Sequence, residues 1–214
     1  MRKLSKVAKG GLVTAAAVAA TVGFASSPAT AAGTWTISGS SGSGGAFTAS
    51  ATKPVLKDVN TGTTLTCATS AAAGTATNGT GLSGTNIAPI SSVTFASCTG
   101  PAGISFTVAS QGLPWHLNAV SYSGGVTTGT ITGVKAKLSG LCSATFAAPS
   151  GVNNGATLAA TYNNSTHTLS VNGASALKAY SVSGICVGLI NTNDLATFTA
   201  AYVVSPSTLH ITSP

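Results

Sequence analysis

Apolar and polar residues alternate along most of the chain beyond residue 34. In the run 104–108, Ile104, Phe106 and Val108 are separated by Ser105 and Thr107. A period of two puts successive side chains on opposite faces of an extended strand, so this run predicts a strand with one buried face. The same alternation recurs at 35–37, 134–138, 169–171, 198–204 and 209–211. Helical spacing is absent from this part of the sequence.

Residues that favour tight turns separate these runs. Asn and Gly accept the positive φ that hairpin turns require. They cluster at 39–45, 60–62, 78–79, 123–125, 153–155, 163–165 and 172–173. About ten to twelve strands joined at this spacing predict an all-β fold, an antiparallel β-sandwich or barrel, rather than a parallel α/β fold. No linker divides residues 32–214, so we expect a single domain there.

The first 31 residues have the layout of a cleavable signal peptide. Residues 2–9 carry four basic side chains and no acid, and an apolar run follows at 10–25. Small residues at Ala29 and Ala31 favour cleavage after Ala31. The alternative, a membrane-anchoring helix, is disfavoured because the run is shorter than the roughly 20 residues needed to span a bilayer. We therefore expect a secreted, extracellular or cell-surface-associated product without a transmembrane segment.

Removal of the signal peptide changes the charge of the chain. The formal net charge of the whole sequence is +7, but residues 32–214 hold five lysines against two aspartates, which leaves +3. No arginine remains, and the lysines are dispersed: Lys53, Lys57, Lys135, Lys137 and Lys178. Nucleic-acid binding is therefore not expected, because it depends on a clustered basic surface.

Four cysteines remain, at Cys67, Cys98, Cys142 and Cys186. An even number in an exported chain predicts two disulfides. Of the three connectivities we favour Cys67 with Cys98 and Cys142 with Cys186, because each pair closes a local loop. A zinc site is the alternative, but no two cysteines have the close spacing typical of such sites. Cys98 is out of phase with Phe95, which indicates either a bulge or an earlier end of the strand.

The chain offers little material for catalysis. Its only two acidic side chains, Asp58 and Asp194, are far apart in sequence, and we interpret Asp58 as a solvated turn residue and Asp194 as the residue of an Asx turn. His116, His167 and His210 accompany no Gly-x-Ser-x-Gly motif and no paired metal-ligand spacing, so we expect solvent-facing rings. We predict a noncatalytic protein that has no cofactor and no metal.

Trp115 lies in the most distinctive local string, Leu113-Pro114-Trp115-His116-Leu117. Its large ring, with one hydrogen-bond donor, is a possible platform for a sugar ring or an apolar ligand. The alternative is that Trp115, in phase with Leu117, packs in the core. We favour the core interpretation, because large aromatic residues dominate core energetics.

A series of short strings occurs in order along the first half of the chain: GAFTA at 45–49, LTC at 65–67, ISSVTF at 90–95 leading to Cys98, LPW at 113–115 and ITGV at 131–134. Over residues 45–145 the chain resembles a family of small exported bacterial proteins described as activators of alkane oxidation. From Cys142 to Tyr202 it is similar to uncharacterised exported proteins of actinobacteria. The resemblance implies a noncatalytic extracellular role at an oily or cell-surface interface, and it assigns no site residues.

These observations lead to three functional hypotheses of different classes. The first is a secreted or surface-associated module that binds an apolar compound or an envelope glycan. The second is a self-associating coat or matrix protein, because few charges guard the strand edges against pairing with another chain. The third is an unrecognised hydrolase.

Overall fold

The computed structural model describes residues 34–214, and this part of the chain is built of strands and turns. Its one helical segment is the 3₁₀ turn Pro101–Gly103. The predicted signal peptide, with cleavage after Ala31, lies outside the described residues. Residues 34–214 hold no helix of the length and hydrophobicity needed to cross a membrane.

Residues 34–214 contain fourteen strands, and each strand is paired antiparallel to its neighbours. They are β1 (Trp35–Ser38), β2 (Ala46–Thr52), β3 (Val55–Asp58), β4 (Thr64–Thr75), β5 (Gly79–Leu82), β6 (Ala88–Thr99), β7 (Ser105–Gln111), β8 (Trp115–Ser123), β9 (Val126–Gly140), β10 (Cys142–Ala147), β11 (Ala156–Asn163), β12 (Thr168–Gly184), β13 (Leu195–Ser205) and β14 (His210–Thr212).

The pairing of eleven of these strands returns to its starting point. From β9 it passes to β11, β12, β13, β2, β4, β6 and β8, and β8 pairs again with β9. A second circuit runs through the opposite ends of the long strands, where β10, β3 and β7 take the places of β11, β2 and β8. We call this arrangement the ring. The prediction of an antiparallel all-β fold is confirmed, and its sheet is closed on itself.

The ring has eight strand positions, of which five are filled by one long strand: β4, β6, β9, β12 and β13. Each of the other three positions holds two shorter strands laid end to end, so the structure has more strands than the ten to twelve we expected. In β11, Ala156, Leu158, Ala160 and Tyr162 are buried and the residues between them are exposed. The alternating pattern thus places the apolar face of each strand inside the ring.

A separate three-stranded sheet, in the order β14-β1-β5, lies against one end of the ring. Asn164, in the turn between β11 and β12, holds β14 there: its Nδ2 donates to Ile211 O (2.9 Å), and its Oδ1 accepts from Ile211 N (2.8 Å). The Tyr162 hydroxyl donates to Leu209 O at 2.8 Å. These hydrogen bonds satisfy buried backbone groups and so fix the β14 segment against this end of the ring. We call it the closed end.

Both predicted disulfides are confirmed. Cys67 is bonded to Cys98, its direct partner across β4 and β6, and Cys142 is bonded to Cys186. Of the two explanations for the phase of Cys98, the bulge is correct. Strand β6 continues to Thr99, Ser97 has a φ of 50°, and the register with β7 shifts before Cys98. The extra residue turns Cys98 towards the buried face, where it meets Cys67.

Candidate functional site

The interior of the ring contains a cavity of about 60 Å³. Its walls are apolar, and every strand position of the ring contributes to them. The contributing side chains include Leu56 of β3, Leu65 of β4, Phe95 of β6, Phe106 of β7, Leu138 of β9, Phe146 of β10, Leu177 of β12 and Phe198 of β13. The site is thus a property of the closed sheet and of no single segment.

The strand register explains why these side chains converge. Leu56 lies directly opposite Leu65 on one neighbour and Phe198 on the other, and Val108 lies opposite Leu138. Directly paired residues of antiparallel strands point to the same face. The apolar members of each alternating run therefore point into the ring together.

Three phenylalanine side chains that line the cavity are not fully buried. Phe95, Phe106 and Phe198 point into the strand ring but are only half-buried. Phe95 and Phe198 meet edge to face, with ring centroids 6.0 Å apart. Protein cores are normally packed at the density of organic crystals, so incomplete cover of large interior side chains marks unfilled space.

Trp115 stands between this cavity and a deeper one. Its side chain is 6% exposed and lines both the main cavity and a second cavity of about 30 Å³. Its Nε1 donates to Gln111 O at 3.0 Å, so the polar atom of the indole is satisfied. The core interpretation of Trp115 therefore holds, because its indole is buried and lies against the cavity. Contact between Trp115 and a ligand stays a prediction.

The end of the ring opposite the closed end has an apolar surface. Val59, Leu141, Ile185 and Val187 are 48%, 62%, 67% and 75% exposed, and all four lie in or beside its loops. We call these four residues the apolar rim. A third cavity, of about 40 Å³, is lined by Leu141 and Ile185 and shares Leu65, Phe106 and Leu138 with the main cavity. Apolar walls thus continue from the rim to the interior.

The two carboxylates of the chain also lie at this end. Asp58 and Asp194 are 3% and 8% exposed, so our interpretation of Asp58 as a solvated turn residue is wrong. Asp58 Oδ1 accepts hydrogen bonds from the backbone N–H groups of Asn60 and Thr61, both at 2.9 Å. Burial raises the pKa of Asp58, and the nearby charge of Asp194 raises it further. The fold brings together two residues that are remote in sequence.

Asp194 is fixed by a different turn. Its Oδ2 accepts from the backbone N–H of Asn191 at 2.8 Å and from Asn191 Nδ2 at 3.0 Å. The two turns are joined, because Thr61 Oγ1 donates to Leu189 O at 2.8 Å. The carboxylates therefore order the two loops that carry Val59, Ile185 and Val187 of the apolar rim.

The three histidines are divided between two places. His116 Nδ1 lies 2.6 Å from Asn86 Oδ1. His167 and His210 meet at the closed end, with ring centroids 5.7 Å apart. His210 is exposed as expected, whereas His167 is half-buried and its Nδ1 is buried, because β14 covers the turn that holds it. Among residues 34–214, no group of three or more His, Cys, Asp or Glu side chains is placed to hold a metal ion.

No family model, no curated protein and no solved structure matches this chain. The resemblance to activators of alkane oxidation therefore stays a prediction.

Proposed function

We propose that this protein is a secreted, noncatalytic module that binds a small, neutral, apolar molecule inside the ring. The observation that carries the proposal is the interior cavity, to which every strand position contributes apolar side chains and no charged group. The two disulfides are compatible with an extracellular location.

The cavity favours neutral apolar ligands over charged or strongly polar ones. A carboxylate or ammonium group inside it would lose its hydration and meet no partner, at a cost of several kcal/mol or more. A hydrocarbon group instead gains about 0.8 kcal/mol per buried methylene. An envelope glycan is a poorer ligand for the same reason, since its hydroxyl groups would stay unpaired against these walls.

The size of the cavity limits the ligand. An engineered apolar cavity of about 150 Å³ in another protein stays dry and binds benzene. The cavity found here, about 60 Å³, is smaller than that one. We expect short alkyl groups to fit directly. Larger groups require side chains such as Phe95 and Phe198 to rotate, which their incomplete packing permits.

The apolar rim is the proposed entrance. Its exposed side chains adjoin the cavity that shares Leu65, Phe106 and Leu138 with the interior. A ligand that enters there meets apolar side chains that line both cavities, so hydrophobic contact favours its passage inward.

The proposal is tested by the fluorescence of Trp115. Trp35 lies in β1, outside the ring, so a Trp35→Phe background leaves Trp115 as the sole tryptophan. We expect hexane or benzene to change its emission saturably and to raise the melting temperature, because a ligand that binds only the folded state stabilises it. Hexanoate, with the same carbon number as hexane and a negative charge, should have no effect.

A matched pair of variants makes the test specific. Ala136 lines the cavity, whereas Ala109 is exposed on β7. Ala136→Phe should fill the cavity and abolish binding, at a cost of about 1–3 kcal/mol from overpacking. Ala109→Phe should bind like the parent. The absence of saturable binding of either hydrocarbon to the folded parent would refute the proposal, as would undiminished binding by folded Ala136→Phe.

A further inference from the structure

Two histidines from distant parts of the chain meet at the closed end of the ring, outside the proposed ligand site. His167 lies in the turn between β11 and β12, and His210 is the first residue of β14. Their rings are 5.7 Å apart, centroid to centroid, with an angle of 79° between the planes. The cavities described above include neither residue among their walls.

The backbone on both sides of this pair is fixed. The carbonyl of His167 accepts from Val204 N at 2.8 Å, which ties the turn to β13. His210 is paired with Ser38 of β1. The side-chain amide of Asn164 binds the next residue, Ile211, because its Nδ2 donates to Ile211 O and its Oδ1 accepts from Ile211 N. The two rings are therefore brought together by the fold before any ligand arrives.

One ring nitrogen of this pair is buried and lacks a partner. His167 Nδ1 is buried and makes no hydrogen bond. A buried polar atom without a partner is costly, and natural structures leave few of them, so a bound ion is one physical explanation for such an atom. The unprotonated nitrogen of a neutral imidazole is also a preferred ligand of zinc and related ions.

The separation of the rings suits a shared ion. With metal–nitrogen distances of about 2.0–2.1 Å, two imidazoles on one tetrahedral ion have ring centroids about 5–6 Å apart. The observed 5.7 Å falls in this range. The exposure of His210 leaves room for water at the remaining coordination positions.

We propose that His167 and His210 together bind one divalent transition-metal ion of the zinc class, with water completing the coordination. The ion links the β11–β12 turn to β14 and so stabilises the closed end of the ring. Hard cations such as Mg²⁺, which prefer oxygen ligands, are not expected to bind there.

The test is a calorimetric titration of the purified, disulfide-bonded protein with Zn²⁺, with Mg²⁺ as the control ion. We expect one Zn²⁺ per chain and a melting temperature that rises with Zn²⁺ concentration. His210→Ala alters an exposed side chain and should weaken binding by about tenfold or more. His167→Ala should do the same.

The third histidine supplies a matched control. His116 is hydrogen-bonded to Asn86 and is not part of this pair, so His116→Ala should bind Zn²⁺ as the parent does. If His167→Ala fails to fold, His210→Ala and His210→Asn decide the matter. The inference is overturned if the parent does not bind Zn²⁺ at millimolar concentration. Unchanged affinity in folded His210→Ala, or an equal loss in His116→Ala, would also overturn it.

Discussion

Asp58 illustrates how the fold changes the behaviour of single residues. In the sequence it is one of only two acidic side chains in the chain and stands in an ordinary turn motif. In the structure it is buried beside the other acid, Asp194, which is itself buried. Only one of its oxygens is hydrogen-bonded, since Oδ2 is buried without a partner. The ionised form of Asp58 is therefore less favourable in the folded state than in water.

This environment predicts a pH dependence of stability. Because the pKa of Asp58 is raised above its ordinary 3.8, the folded state binds the proton more tightly than the unfolded state does. The contribution of Asp58 to the unfolding free energy is therefore fully present below pH 3.8 and is lost as the pH rises through the raised pKa. Denaturant unfolding at a series of pH values measures it.

Two variants assign this dependence to the pair. Asp58→Asn cannot ionise, so its unfolding free energy should be flatter across the same pH window. Asp194→Asn removes the neighbouring charge, which should lower the pKa of Asp58. The pH range over which the unfolding free energy changes should therefore become narrower. Identical pH profiles for the parent and Asp58→Asn would contradict this prediction.

At the scale of elements, the loops of the apolar rim include a close backbone contact between Gly184 and Leu141. Strand β12 ends at Gly184, where φ is +87° and the next N–H, of Ile185, donates to Leu141 O at 2.7 Å. A Cβ on Gly184 would overlap Leu141 O. The rim is thus held by a contact that only glycine permits.

Gly184→Ala should be more destabilising than an ordinary glycine substitution. Gly188, in the same loop, also has a positive φ of +75°, but a Cβ there would meet no neighbouring atom. Gly188→Ala should cost about 1 kcal/mol through backbone strain alone, whereas Gly184→Ala adds the clash. Denaturant unfolding compares the two variants, and equal losses would mean that the clash is relieved by a shift of the loop.

At the scale of the whole molecule, ring closure determines which surfaces are available. A closed sheet has no free edge for pairing with another chain. The outer strands of the separate sheet are the short β5 and β14, and Asn164 already binds the outer side of β14. The hypothesis of a self-associating coat rested on unguarded strand edges, so the ring gives it little support. Self-association itself stays a prediction, and sedimentation at several concentrations tests it.

The disulfides should contribute to global stability by restricting the unfolded chain. They link residues 31 and 44 positions apart, for which the chain-entropy relation gives about 4 kcal/mol each. We expect losses of this size for the double variants Cys67→Ala with Cys98→Ala and Cys142→Ala with Cys186→Ala, measured by denaturant unfolding. A loss below about 1 kcal/mol for either pair would contradict the entropic account.

The sequence by itself determined the all-β class, the buried faces of the alternating runs and the favoured disulfide pairing, but not the number of strands. Alternation such as Ile104, Phe106 and Val108 is a local signal, because side chains on a strand alternate whatever the strand pairs with. The pairing of Cys67 with Cys98 followed from local loops, because short loops close at the lowest entropic cost. The signal peptide is likewise a local pattern, and it stays a prediction.

Only the tertiary structure decided where the sites lie. The approach of Asp58 to Asp194, and of His167 to His210, depends on which distant strands become neighbours. The cavity beside Trp115 depends on the circumference of the ring, which sets how much space the apolar faces must fill. Alternation specifies which face of a strand is buried, but it carries no information about what lies opposite that face. For this reason the sequence singled out Trp115 but could not show the cavity that it lines or the residues that share it.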